Sequence, residues 1–473
     1  MRGVIRIALL VTVVLCALGV LAQDIPVKTM PDGAAVQTEP LATTLAPQPQ
    51  PYHPQGTIIV PESSVARAED AGLRAHTNTL IFVPSGQPMA TAMPSNTFAE
   101  TVASMSCVYK VGPIYPGCVP ANGGVNHPTG GWGAIALVDA YDNPKAATDL
   151  AYFSTNYGLP APQFRKIYAN TSYGSIAGLS ASCSGTPAPS QDWGLEEDLD
   201  IEWAHAMAPN AKILLVEACT NYLSDLQFAV LVAAKEVSAR GGGDVSNSWG
   251  SNEYSGEVGA VDNTFRYYWN KIVYFASAGD YGWGAQYPSS SPWVVSAGGT
   301  TVNRDAGGNF LNESCWAGSG GGVSAYETWQ NPPDLDNGMG PWANFQYAMF
   351  GQTARQTPDI SFNADPNSGV WVYDSYGYNG NAGWFIVGGT SVSSPALAGI
   401  VNASKNTLGQ GPPNTPFYSN MENDLLYAQL YGHLAYPYNF YDVTTGSNGT
   451  GHNAAVGYDQ CTGIGSPRGH LGK

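Results

Sequence analysis

Hydrophobic and polar positions change their rhythm near Gly130. Before it, apolar runs are short and far apart: a helical fragment over Ser64 to Arg74 and one strand over Asn78 to Val83 are predicted, with loop elsewhere. After it, short continuous apolar runs alternate with helical stretches. Ala134 to Asp139 is the first run and ends in an acid; Asn143-Pro144 follows as a helix start with Pro at the first helical position, predicting a helix to about Tyr157. Further strands are predicted at Lys212 to Glu217, Val245 to Ser248, Ile272 to Ala276, Trp293 to Ala297 and Trp384 to Val387. Helices are predicted over 195–207, 223–239, 257–270 and 391–405. Short apolar strands separated by helices specify an α/β fold with a mainly parallel central sheet covered on both faces by helices. In such sheets the chemistry lies beyond the carboxyl ends of the strands, so the polar residues just after strands are the ones to weigh.

The chain ahead of this pattern is organised differently. Residues 1–22 carry Arg2 and Arg6, an apolar stretch from Ile7 to Leu21 and a small residue, Ala22, before Gln23: a cleavable export signal, so a secreted protein is expected, soluble once the signal is removed. Residues 23–61, rich in Pro, Gln, Thr and Ala, read as an extended linker, and 62–130 as a short N-terminal region, a candidate remnant pro-segment. Removing the signal removes Cys16 and leaves Cys107, Cys118, Cys183, Cys219, Cys315 and Cys461. An even count in an exported chain predicts disulfides, with Cys107 and Cys118 the first pair to expect from proximity. No two share CxxC spacing, which argues against zinc.

Charge narrows the partners. With 19 Lys+Arg against 36 Asp+Glu the formal charge is −17, which argues against nucleic acid. Only 12% of residues are charged while 44% are hydrophobic. Few ion pairs are at risk when carboxylates protonate, which suits work in acid.

Four segments could carry chemistry. Gly388-Gly389-Thr390-Ser391, followed by Pro395, lies at a strand-to-helix turn. A serine there exposes its hydroxyl and offers its N–H among the orphan donors of the helix start; the alternative is an N-cap serine. No histidine stands in a context that would make it the base. Carboxylates are the other source: Glu196 and Asp200 sit at i and i+4 on one helix face, but so do Asp198 and Glu202, and the cluster could equally be a solvated acidic face. Ser277-Ala278-Gly279-Asp280 ends a strand in an acid that can donate a hydrogen bond to an oxyanion when protonated. Asp442 and Asp459 frame a Gly/Asn-rich loop whose carbonyls suit calcium, or it is only a turn-rich loop.

Taken in order, Glu196-x-x-x-Asp200, Ser246-Asn247-Ser248-Trp249-Gly250, Ser277-Ala278-Gly279-Asp280 and Gly389-Thr390-Ser391 with Pro395 resemble the motifs of the sedolisin family of serine-carboxyl peptidases. The resemblance runs from about Gly131 to the C-terminus and implies a peptidase domain over 131–473 with the three-layer subtilisin-like fold. It implies Ser391 as nucleophile, Glu196 as general base, Asp200 as its relay partner and Asp280 as the oxyanion-hole acid. Asp139 matches the place where subtilisins keep their triad aspartate and is expected to support the site. One structural Ca2+ is implied, held by the side chains of Asp442 and Asp459 and the carbonyls of Val443, Ala455 and Gly457. Three departures stand out: a short N-terminal region where the family has a substantial prodomain, Gly388 where Ser is common, and Ala455 and Tyr458 where Gly and Trp are frequent. The expected function is a secreted, monomeric, acid-active endopeptidase acting on proteins or peptides. A catalytically silent binding or adhesion protein on the same fold is the alternative, and an esterase ranks last because no Gly-x-Ser-x-Gly elbow surrounds Ser391.

Overall fold

The computed structural model describes residues 51–52, 54–92, 99–259, 262–268, 271–328, 341–407, 419–430 and 435–473. The chain first forms β1 (Gly56–Ile59), β2 (His76–Thr77), β3 (Leu80–Pro84) and α1 (Val102–Val108). The alternating part follows: β4 (Ala134–Ala140), α2 (Ala146–Asn156), β5 (Gln163–Ala169), α3 (Gln191–Met207), β6 (Lys212–Ala218) and α4 (Leu223–Ser238). Next come β7 (Gly243–Asn247), β8 (Trp249–Asn252), β9 (Ile272–Ser277), β10 (Gln286–Tyr287), β11 (Val295–Arg304), β12 (Phe310–Cys315) and β13 (Gly322–Thr328). The framework closes with α5 (Pro341–Phe350), β14 (Ala354–Thr357), β15 (Ile360–Asn363), β16 (Val370–Tyr378), β17 (Asn381–Gly388) and α6 (Thr390–Thr407).

The predicted parallel sheet is present. Its order is β12-β11-β9-β7-β4-β6-β5 with β15 beside β11, and every pair is parallel except β11 with β12. Period-two alternation makes the three layers. On one face of β4, Ile135 and Leu137 pack with Leu199 of α3 and Leu397 of α6; on the other, Ala136 and Val138 pack with Leu226 and Val230 of α4.

Several local expectations give way. The strand predicted at Trp384 to Val387 is the core of β17, but it belongs to a separate antiparallel sheet of order β1-β3-β17-β16, not to the central one. Asn379 and Gly380, both at positive φ (50° and 77°), turn β16 back on β17 as a tight hairpin, which a parallel strand cannot have. α2 starts at Ala146, beyond Pro144, because the Asn143 side chain accepts the Lys145 N–H at 2.8 Å and holds a turn there. Among the described residues of 257–270 only a 3-10 turn at Asp262–Arg266 forms, and in place of a helix over Ser64 to Arg74 there are 3-10 turns at Glu62–Ser64 and Ala68–Asp70.

The N-terminal region is woven into this body. Pro49–Lys473 form one compact unit, and β3 pairs with β17 on one side and β1 on the other. β1 falls inside the stretch whose composition reads as linker, and its side chains are mostly exposed. Three disulfides form, Cys107–Cys118, Cys183–Cys219 and Cys315–Cys461. The export signal lies outside the described residues, and among those described no helix is long and apolar enough to cross a membrane.

Candidate active site

β17 ends at Gly388 and α6 begins at Thr390, so a single residue, Gly389, makes the turn at φ +102°. A Cβ there would lie 2.1 Å from the Asn78 carbonyl oxygen and 2.5 Å from Asp280 Oδ2, so only glycine fits. Ser391 is the second residue of α6, and its N–H, with no partner inside the helix, donates to the Asn78 carbonyl at 3.0 Å. Its hydroxyl donates to the Ser248 carbonyl at 3.1 Å and accepts from the Asn78 N–H at 3.2 Å. Burial and the Asp139 carboxyl raise the pKa of Glu196, and the Ser391 hydroxyl is close enough to it to lower that pKa in part.

α3 carries the carboxylates. Ser190 caps its start, the Trp193 N–H pointing to the Ser190 hydroxyl at 3.4 Å, and one face packs on α6 and the sheet. Glu196, Glu197, Asp198, Asp200 and Glu202 are all fully buried, so the cluster is not a solvated face. Glu196 accepts a hydrogen bond from the Thr79 hydroxyl through Oε2, and Asp200 Oδ1 accepts from the Ser248 hydroxyl at 2.6 Å. Burial, then the nearby Asp139 carboxyl, holds both Glu196 and Asp200 well above the usual carboxylate range. Asp139, next to last in β4, has neither oxygen hydrogen-bonded, and burial pushes it up to about 8. Three carboxyls gathered where water cannot solvate three charges must share protons. The other i, i+4 pair goes elsewhere: Glu202 accepts the Tyr373 N–H at 3.0 Å, and Asp198 faces Asp149 and Asp374. Equal spacing, therefore, yields one pair at Ser391 and one away from it.

Asp280 completes the arrangement. Its Oδ1 accepts the Thr390 N–H at 2.7 Å and the Thr390 hydroxyl at 2.9 Å, which fixes the carboxyl. Its Oδ2 makes no hydrogen bond and shares the space beside Gly389 with the Asn78 carbonyl oxygen. Burial pushes its pKa up to about 7 against the pull of those two Thr390 donors, so in acid Oδ2 carries a proton to offer. A hydroxyl, a carboxyl base backed by a second acid, and two donors, the Ser391 N–H and protonated Asp280, converge on one carbonyl position. This is the equipment for acyl transfer.

The model of the Subtilase family matches residues 174–451, more than half of the 473-residue chain. The chain belongs to the subtilase family, on its sedolisin branch. It is 29% identical to kumamolisin from Bacillus sp. (strain MN-32) over 367 residues, which is 71% of this chain but 58% of that protein. It is 28% identical to tripeptidyl-peptidase 1 from Dictyostelium discoideum over 347 residues, 68% of this chain and 50% of that one. The chain thus spans little more than half the length of these curated relatives. Among solved structures, Pseudomonas sedolisin (serine-carboxyl proteinase), complexed with two molecules of pseudo-iodotyrostatin, shares the fold. The TM-score is 0.59 at 23% identity, covering 79% of this chain and 96% of that one.

The C-terminal acidic loop folds on itself. Asp442 Oδ1 accepts the Gly457 N–H and Asp459 Oδ2 the Ala455 N–H, each at 3.0 Å, so both carboxylates are tied to the 455–459 turn, where Gly457 takes φ +84°. Asp459 is buried, and burial raises its pKa; two carboxylates on one turn are hard oxygen donors of the kind calcium takes. Among the described residues, the only group of three or more acids, His or Cys close enough to hold a metal is Asp149, Asp198 and Asp374, away from this loop.

Three functional neighbours went unmarked in the sequence. Ser248, inside a quoted motif but given no role, links Asp200 to the Ser391 backbone: its hydroxyl meets Asp200 at 2.6 Å and the Ser391 carbonyl at 3.4 Å. Asn78 and Thr79 read only as the start of a strand, yet they lie against Ser391 and Glu196. No local signal distinguishes them, because their place is set by the long-range pairing of β2 and β3.

Proposed function

We propose that this protein is a secreted serine-carboxyl endopeptidase that cuts proteins or peptides in acid. Ser391 attacks the peptide carbonyl, Glu196 takes its proton with Asp200 behind it, and the Ser391 N–H and protonated Asp280 stabilise the oxyanion. Glu196 then returns the proton to the leaving amine, and water resolves the ester by the same route in reverse. Asp139 is held neutral in acid by burial and so adds no third charge beside the pair; its ionisation on the way to neutral pH raises the pKa of both neighbours. Calcium, held by Asp442, Asp459 and the carbonyls of Val443, Ala455 and Gly457, would fasten the C-terminal loop without entering the reaction. Export rests on the first 22 residues. The observation that carries the reading is the convergence of Ser391, Glu196, Asp200 and Asp280 on one buried position. The test is cleavage of denatured casein from about pH 2 to 8 by the wild type and by Ser391→Ala: activity confined to acid and abolished in the variant is expected, whereas equal cleavage by both refutes the assignment.

A further inference from the structure

The acid that serves the oxyanion stands on a turn that cannot hold itself. After β9 the chain runs Ala278-Gly279-Asp280-Tyr281-Gly282-Trp283-Gly284, and Gly279, Gly282 and Gly284 take φ of +114°, +78° and +147°. Three such glycines leave the backbone many alternatives, so the observed course is imposed from outside. Thr390 fixes only Oδ1 of Asp280. Oδ2, the atom that must donate, swings about that anchor whenever the Asp280 backbone shifts, and a misplacement of about 1 Å can cost about a hundredfold in rate. Resting on the peptidase reading above, we infer that Asn448, far along the chain, is a positioning residue for Asp280: it locks the turn that carries the oxyanion acid.

Asn448 lies in a short hairpin, Ser447–Gly449 against His452–Asn453, and grips the turn in two ways. Directly, its carbonyl accepts the Trp283 N–H at 2.7 Å. Indirectly, its side-chain NH2 donates to the Ser319 carbonyl at 3.0 Å and the Gln460 carbonyl at 3.2 Å. Ser319 belongs to a glycine-rich strip, 318–322, that runs along the turn. The Gly318 carbonyl accepts the Gly282 N–H at 2.9 Å, the Gly320 N–H donates to the Gly279 carbonyl at 2.7 Å, and Gly284 and Gly321 exchange N–H bonds at 2.8 and 2.9 Å. Asp280 is thereby bracketed, with the strip bonded to residues 279 and 282 and Asn448 holding both the strip and residue 283. The layers touch backbone to backbone: a Cβ on Gly320 would lie 1.9 Å from the Ala278 carbonyl oxygen, and one on Gly282 2.8 Å from that of Asn448. Asn448 is buried and its Oδ1 has no hydrogen-bond partner, so its two N–H donors are what the place uses. The Trp283 ring covers the junction, stacked on His452 with centroids 4.2 Å apart, its N–H directed at Gln460 Oε1 at 3.3 Å.

The experiment is a double-mutant cycle between Asn448→Ala and Asp280→Leu, read as kcat and KM on an internally quenched peptide in acid, with Tm recorded so that each rate refers to folded protein. Asn448→Ala alone is expected to lower kcat about 10- to 100-fold with KM within about twofold, because the donor it displaces serves the transition state. In the Asp280→Leu background, where there is no acid left to position, the same substitution is expected to cost less than about threefold. Gly449→Ala disturbs the clamp without removing a hydrogen bond, since its Cβ would lie 2.9 Å from Trp283 Cβ. It should cost about 3- to 10-fold, again only while Asp280 is present, and it carries the test if Asn448→Ala does not fold. Equal fold-losses with and without Asp280 make the hairpin contact merely structural and overturn the proposal, as does an unchanged kcat in both single variants. If Asp280→Leu is slow and the losses are additive, the peptidase reading stands and this inference alone falls. An Asp280→Leu as fast as the wild type, or no turnover by the wild type, removes both.

Discussion

Replacing Asp280 by Asn separates the oxyanion acid from every other titrating group. In the wild type Oδ1 is fixed by the Thr390 N–H and hydroxyl, and Oδ2 is the free atom beside the substrate carbonyl position. Asparagine places its oxygen on the Thr390 donors and its NH2 where the acid proton was, so a donor remains without needing acid. With the cleft filled by a peptide segment, burial holds Asp280 at about 7. The peptide-bound enzyme is the state that kcat reports, so its alkaline limb falls near that value, and about a tenth of the wild-type donor survives one pH unit above it. Losing one oxyanion donor altogether costs about 100- to 1000-fold in kcat, roughly 3–4 kcal/mol. Asp280→Asn is therefore expected to keep its kcat above pH 7 where the wild type falls about tenfold per unit, and Asp280→Leu to lose about 100-fold or more at every pH. The assay is kcat on an internally quenched peptide from about pH 3 to 9. An alkaline limb unchanged in Asp280→Asn refutes the role of Asp280.

Three other outcomes follow from the same groups. Asp139 and Asp374 have folded-state pKa values of about 8 and 7, raised from 3.8 by burial, so they favour the folded state fully below about pH 4 and withdraw that support as pH rises through 7 to 8. Urea midpoints of Ser391→Ala, which removes self-digestion, are expected to fall between pH 4 and 8 by an amount equal to several kcal/mol; a rise over that range contradicts the account. Ser248→Ala strips Asp200 of its 2.6 Å donor, so the acid limb of kcat should move up by about one unit with kcat down about tenfold, and an unmoved limb would deny Ser248 its role. Calcium at about a hundred times its Kd should stabilise the chain by roughly 2.7 kcal/mol, seen as a raised Tm that a chelator reverses, and Asp442→Asn should remove the response.

The parts of this architecture that the sequence displays are those governed by local periodicity. β4, β6 and β9 announce themselves because they are buried on both faces and read as nearly unbroken apolar runs, whereas β7, equally buried, has Val245 between Asp244 and Ser246. β5 does not: at the sheet edge its exposure alternates, and Arg165 and Lys166 interrupt the apolar signal. The antiparallel sheet was hidden for another reason, since β3 and β17 lie about three hundred residues apart and only the Asn379-Gly380 turn hints at the hairpin. At the site, composition alone leaves Glu196 with Asp200 and Asp198 with Glu202 equivalent; the order of four motifs chooses between them, and packing then shows the physical difference, one pair facing Ser391 and the other facing β16. That one segment of the chain lies across the nucleophile depends on strand pairing between residues far apart, which no short motif encodes.

The central claim is that Ser391 carries the acyl group. Acid-quenching the enzyme during turnover of a peptide p-nitrophenyl ester and mapping the mass of the trapped acyl group by digestion tests it without any reference to rates. The account predicts an adduct on the peptide containing Ser391, absent in Ser391→Ala and longer-lived in Glu196→Gln. An adduct on any other residue, or the same adduct in Ser391→Ala, contradicts it.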